Sequence, residues 1–319
     1  MPKVQITTVN FPPSFPSPHG TSSLQISHAE IYHAAAEVGA TMSVFGGPKR
    51  TGREIAWRTN MILANLRPSQ IGWQQSRSYK RLDPSEKSGV SYYLGMVLPA
   101  IVAKKSWKVP HLVHVDAVLQ ILGRTVGNVQ RPDLVGYRQG ATANSQGRLL
   151  LETKGRTNGF AQAPITTARN QLNNAPQAVL RLVGGTAPRI ASLSHFEDDL
   201  WRGYMIDPPG TPVESPYSDA EFQALVDTAY CWPFMEIIKD SPGDRSQTQE
   251  KHTIWLPEAN MKISMPSPIF EHLKDLELPV QPKYLQPLWE EIRPVFPPSN
   301  HATEEDKTRN LVQIDELER

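Results

Sequence analysis

One cysteine, Cys231, is all that the 319 residues contain. An internal disulfide and a cysteine-rich zinc site are therefore excluded, and a reducing compartment is the expected setting. Cys231 sits in the apolar run AYCWPF and reads as a core residue rather than a nucleophile. Long hydrophobic runs are missing too. The longest mostly apolar stretch, residues 89–103, is bounded by Lys87 and Lys104 and interrupted by Ser91 and Pro99, too short to span a bilayer. The opening MPKVQITTVNF lacks the apolar core of a secretory signal, so a cytoplasmic protein without membrane attachment is expected. Residues 46–52, GGPKRTG, lack the order of a phosphate loop and read as a basic turn. His111 and His114 have no partner at zinc spacing and read as capping or packing residues. Ser192, Ser194 and His195 lack a nucleophile elbow, which argues against a hydrolase triad.

Net charge is nearly absent at +1, but its distribution is uneven. Residues 41–181 carry 20 Lys and Arg against 6 Asp and Glu, whereas residues 182–319 carry 12 against 24. A basic half suits a phosphate backbone, and a solvated basic face is the plainer alternative. The acidic half is a candidate surface for a protein partner.

Chemistry concentrates in residues 131–156, RPDLVGYRQGATANSQGRLLLETKGR. Two apolar runs, 134–137 and 148–154, separated by polar and glycine residues, predict an antiparallel hairpin. On a strand Glu152 and Lys154 share one face, next to a run expected to be buried on both sides. An acid and a lysine there suit a hard divalent cation bound by Asp133 and Glu152, with Lys154 beside the scissile phosphate. The site requires Asp133 to lie opposite 152 or 154. A surface hairpin with an ordinary Glu–Lys pair is the other reading.

Pro132-Asp133 followed by Glu152-Thr153-Lys154 resembles the signature of the PD-(D/E)xK nuclease superfamily. The resemblance implies an αβββαβ restriction-endonuclease-like core with a mixed central sheet. It also implies phosphodiester hydrolysis with Mg²⁺ or Mn²⁺, of DNA before RNA, in settings such as restriction, repair or phage defence. Asp133 and Glu152 are then the metal ligands, and Lys154 positions the water and stabilises the transition state. Many relatives carry a glutamate on the first core helix; residues 90–103 here have no acid, and Glu86 or Asp116 are the candidate substitutes. Gln171 matches a functional glutamine that some relatives place on the crossover helix. A subunit with the same fold that binds without cutting is the alternative function, and an RNA-directed nuclease a further one.

The expected organisation is a partly helical, basic N-terminal extension (1–80), the nuclease-like core (81–239), and an acidic, Pro-rich C-terminal extension (240–319). Strands are expected at 1–9, 189–196 and 201–206. Helices are expected at 27–38, 54–66, from 90 to about 105, and at 110–122, 165–174 and 218–239. Residues 11–23 read as an extended linker, 257–300 as short helices wrapping the core, and 301–319 as a frayed helix or disorder. Lys49, Arg50, Arg53, Lys104, Lys105, Lys108, Arg156 and Arg169 are the candidate phosphate contacts.

Overall fold

The computed structural model describes all residues except 12–14, 16–18, 39–50, 125–128, 141–146, 186, 209, 211, 241–244, 249, 296–311 and 317–319. In chain order it begins with β1 (Lys3–Val9), β2 (Gly20–Gln25), α1 (His28–Glu37) and α2 (Gly52–Asn65). Two short strands follow, β3 (Leu66–Pro68) and β4 (Trp73–Gln75), then α3 (Arg77–Arg81) and the long α4 (Pro84–Ser106). The middle of the chain forms β5 (Leu112–His114), α5 (Val115–Ile121), β6 (Leu134–Tyr137), β7 (Arg148–Gly155), α6 (Gln162–Asn173) and α7 (Gln177–Val183). After these come β8 (Arg189–Glu197), β9 (Leu200–Ile206) and α8 (Asp219–Asp240). The last third adds β10 (Arg245–Gln247), β11 (Lys251–Leu256), β12 (Met261–Pro266), α9 (Ser267–Lys274), α10 (Pro282–Val295) and β13 (Gln313–Glu316).

The result is a mixed α/β protein. Its main sheet runs in the order β2-β1-β9-β8-β7-β6-β5, with β3 and β4 attached at β9. β7 and β8 are parallel, as are β1 and β9, while β5–β6, β6–β7 and β8–β9 are antiparallel. The parallel step needs a crossover, and α6 with α7 supplies it. Alternation along β7 sorts its side chains between two layers. Leu149 and Leu151 join the core beneath α4 and α1, whereas Leu150 joins the core shared with α6 and α8.

Caps fix where the helices start. Ser27 and Glu30 close a capping box on α1, and Asp83 and Glu86 close another on α4, with Pro84 in the first turn. Pro99 lies inside α4. An interior proline costs about 3 kcal/mol in an isolated helix, and the helix persists because Val90, Leu94, Val97, Leu98 and Ile101 are buried against the sheet. Gly95 and Gly155 allow α4 and β7 to approach closely: a Cβ on Gly155 would lie 1.7 Å from the Ser91 carbonyl oxygen.

Several expectations are corrected. Residues 110–122 are not one helix: Leu112–His114 pairs with β6 as a strand, and the helix begins only at Val115. The apolar run serves a sheet edge first, a choice that short apolar segments leave open. The stretch 11–23 is not simply a linker, since Phe11 and Phe15 are buried on Trp107 and Gly20–Gln25 pairs with β1. The N-terminal segment as a whole is not a flanking helical extension, because β1 is an interior strand of the main sheet. In the C-terminal part, β10-β11-β12-β13 form a second, antiparallel sheet where helices alone were expected. Its inner residues Ile254, Met261, Ile263 and Met265 are buried in the same core as α8. Residues 313–316, expected as frayed helix or disorder, form its edge strand β13.

Candidate active site

β6 and β7 pair with Leu134 opposite Leu151 and Tyr137 opposite Arg148. The same register continued by one residue sets Asp133 opposite Glu152, the arrangement that the sequence required. Asp133 is anchored from the strand it faces. Its Oδ2 accepts hydrogen bonds from the Thr153 backbone N–H and from Thr153 Oγ1, each at 2.8 Å. Its Oδ1 makes no hydrogen bond among the described residues. Thr153, to which the sequence motif assigns no role, is therefore the residue that aims the aspartate.

Glu152 is only 1% exposed, and its Oε2 is buried with no hydrogen-bond partner. Its Oε1 is paired with the Lys154 ammonium. Burial pushes the Glu152 carboxyl up to about 7, and the neighbouring Asp133 charge acts in the same direction, with Lys154 and, more weakly, the Asp133 backbone N–H opposing both. Two carboxylates with unengaged oxygens, one of them an orphaned buried acceptor, are the donor set that Mg²⁺ or Mn²⁺ takes, completed by water and phosphate oxygens. The residues present fit such an ion. Among the described residues, no group of three or more His, Cys, Asp or Glu side chains converges.

The candidate substitutes for a third acid are occupied elsewhere. Glu86 accepts from the Asp83 backbone N–H at 3.0 Å as part of the α4 cap. Asp116 is held by the Arg131 guanidinium, with one contact at 2.6 Å, the basic partner that an acid on so apolar a segment needs. His114 caps α5 by accepting from the Asp116 backbone N–H at 3.2 Å, in line with the capping expectation. Gln171 and Arg169 on α6 do not hydrogen-bond to Asp133, Glu152 or Lys154; the Gln171 Oε1 and the Arg169 Nε are buried without a partner.

Of the expected phosphate contacts, Lys49 and Arg50 lie outside the described residues. Arg53 pairs with Glu258 at 3.8 Å and Lys104 with Glu37 at 3.9 Å, while Lys105 pairs with Glu30. Lys108 is exposed just past the end of α4, and Arg156 follows β7 with its Nε donating to the Gly159 carbonyl at 3.1 Å. The basic half is thus partly neutralised where it meets α1 and the C-terminal part.

Tyr92 is a neighbour that sequence reasoning missed. It lies on α4 where that helix crosses the end of β7, its backbone nitrogen 3.0 Å from where a Gly155 Cβ would stand. Burial and the Asp133 charge push its phenol up to about 12. The glycine directly after Glu152-Thr153-Lys154 was the available signal, since a glycine in a strand marks close backbone approach. An open cavity of about 550 Å³ lies elsewhere, lined by Leu122, Arg124, Tyr217, Pro279 and Lys283 among others, and contains none of these residues. No helix among the described residues is long and apolar enough to cross a membrane. Compared with family models, with curated proteins and with solved structures, the chain matches none.

Proposed function

We propose that this chain hydrolyses phosphodiester bonds in nucleic acid, DNA in the first instance, as a PD-(D/E)xK-like nuclease. The observation that carries the reading is the pairing of Asp133 with Glu152 across β6 and β7, next to Lys154 on the same strand. The order α4, β5, β6, β7, α6, β8 supports it, being helix, three strands, helix and strand, with α5 and α7 as additions. Asp133 Oδ1 and Glu152 Oε2 would hold a Mg²⁺ or Mn²⁺, which supplies Lewis acidity and a more acidic bound water. Thr153 keeps Asp133 turned toward Glu152. Lys154, held by Glu152 at the end of the strand, offsets negative charge as it develops on the phosphate.

The lack of a third acid among the described residues favours one rival, a subunit of this fold that binds nucleic acid without cutting it. Incubating the protein with plasmid, single-stranded DNA and RNA, each with Mg²⁺, Mn²⁺ or EDTA, separates the two. Metal-dependent cleavage that disappears in Asp133→Ala and Glu152→Gln supports the nuclease. Retained cleavage in either variant, or binding with no cleavage of any substrate, refutes it.

A further inference from the structure

Three aromatic rings cluster on adjoining turns of α2 and α4. Trp57 and Tyr93 lie edge to face with centroids 5.3 Å apart, and Tyr92 meets Tyr93 in the same way at 5.2 Å. The Arg58 guanidinium covers the Tyr93 ring at 5.2 Å and is itself held by Glu54 and the Val38 carbonyl. Tyr93 is thus gripped from several sides. Its two neighbours are not: Trp57 is 54% exposed and Tyr92 49%. Both are large rings held against a rigid support and open to solvent.

Position gives this cluster its meaning. The Tyr92 backbone nitrogen lies 3.0 Å from where a Gly155 Cβ would stand, and its phenol feels the charges of Asp133 and Glu152, so the platform adjoins the candidate site. The segment that supplies all three rings and the carboxylate pair is also the basic one, with 20 Lys and Arg against 6 acids. Paired bases bury their π-faces in the duplex, whereas unpaired bases offer them to aromatic side chains. A segment with a surplus of basic residues, part of it left after the pairs with Glu30, Glu37 and Glu258, and with exposed, supported aromatics suits a single strand better than a duplex. The surplus charge meets the backbone, and the rings require a flat apolar face.

We propose that Trp57 and Tyr92 form a stacking platform for unpaired bases, which makes single-stranded nucleic acid the preferred substrate class of the adjacent site. The proposal rests on the phosphodiesterase reading for the fate of the strand, but the binding itself does not require cleavage. Anisotropy titrations in EDTA, using dT12, U12, an abasic backbone of equal length and a 20-base-pair duplex, test it with Trp57→Ala/Tyr92→Ala and Trp57→Phe/Tyr92→Phe. Each ring removed to alanine should weaken binding to the base-bearing strand at least about fivefold. The abasic strand and the duplex should be unaffected, and the phenylalanine pair should retain most of the affinity. A selective loss on dT12, on U12 or on both supports the platform and tells which sugar it accepts. No loss on either strand, or an equal loss on duplex and abasic backbone, overturns it. Cleavage with Mn²⁺ is scored separately. Its absence alongside ring-dependent binding removes the phosphodiesterase reading and leaves the platform, whereas cleavage with ring-independent binding removes only the platform.

Discussion

Glu152→Gln offers the sharpest test of the site, because one buried carboxyl links stability, pH and metal binding. In the fold its carboxyl titrates at about 7, against about 4.3 for glutamate in an unfolded chain. The folded value is raised, so the fold disfavours the ionised form. Below about pH 4 both states are protonated and nothing is lost. As pH climbs toward 7 the unfolded chain releases its proton while the fold retains it, and stability falls; above 7 the loss is complete. The difference corresponds to about 4 kcal/mol. With an unfolding entropy of about 2.1 cal/mol/K per residue, that is a shift of roughly 5–6 °C in Tm for a chain of this length. Glutamine keeps the shape and cannot ionise, so the wild type should lose stability relative to Glu152→Gln between about pH 4 and 8 in EDTA. Mn²⁺ should reverse the order. It binds the ionised carboxylate, so its apparent affinity should rise up to tenfold per pH unit below 7 and then level off. Thermal melts of both proteins across this range, with EDTA or MnCl₂, read out all three effects. Parallel curves in EDTA would refute the buried, proton-holding carboxyl; an equal Mn²⁺ shift in both proteins would refute Glu152 as a ligand.

Other residues have distinct expected signatures. Lys154→Ala should lower turnover more than nucleic-acid affinity, since its charge is needed where negative charge develops; single-turnover kinetics beside anisotropy checks this, and a loss confined to affinity would make it a backbone contact. Gly155→Ala places a Cβ 1.7 Å from the Ser91 carbonyl oxygen, so it should destabilise by more than the ~3 kcal/mol of ordinary overpacking, measured by urea denaturation. Arg293→Ala should cost about 3–5 kcal/mol, because it strips the 2.9 Å partner from Asp227, whose carboxylate is almost wholly buried in α8. A change below about 1 kcal/mol there would mean that Asp227 is already neutral.

The hairpin and the long helices were legible because their signals are local. Apolar runs and turn residues marked β6 and β7, and Ser27/Glu30 and Ser218/Glu221 each pair within one turn, whereas the Asp83/Glu86 cap starts α4 at Pro84, ahead of the expected residue 90. The aspartate–glutamate pairing was only conditionally legible. Residues 138–147 leave the register open, and it is set by the burial of Leu134 with Leu151 on one face and Val135 with Leu150 on the other. What escaped was everything decided by distant partners. Leu112–His114 reads equally as helix until β6 lies beside it, and Gly20–Gln25 is half exposed and polar, specified only by β1.

The acidic C-terminal third shows how such distant partners change a functional argument. From charge alone, a removable segment lying over a basic groove is a natural reading, and cutting after residue 240 should then strengthen nonspecific DNA binding. The packing opposes that experiment. Trp289 is fully buried and donates through Nε1 to Thr228 on α8 at 2.9 Å, Tyr32 of α1 donates to the Ala259 carbonyl at 2.6 Å, and Leu285, Ile269 and Ile263 complete the core around α8. Removing them would bare the apolar face of α8 rather than uncover a groove. Charges are also paired locally, Glu271 with His252 and Lys274, and Arg293 with Asp227 of α8. The basic α2 meets the acidic third through Arg53 and Glu258, 3.8 Å apart, and both side chains are exposed. Glu258→Lys is therefore the appropriate perturbation of charge masking, since it reverses the acid beside Arg53 and leaves the core intact. If masking operates there, the affinity for DNA should rise and the log–log salt slope should steepen, by about 0.9 for each further phosphate neutralised. An unchanged slope would assign the acidic third to packing alone.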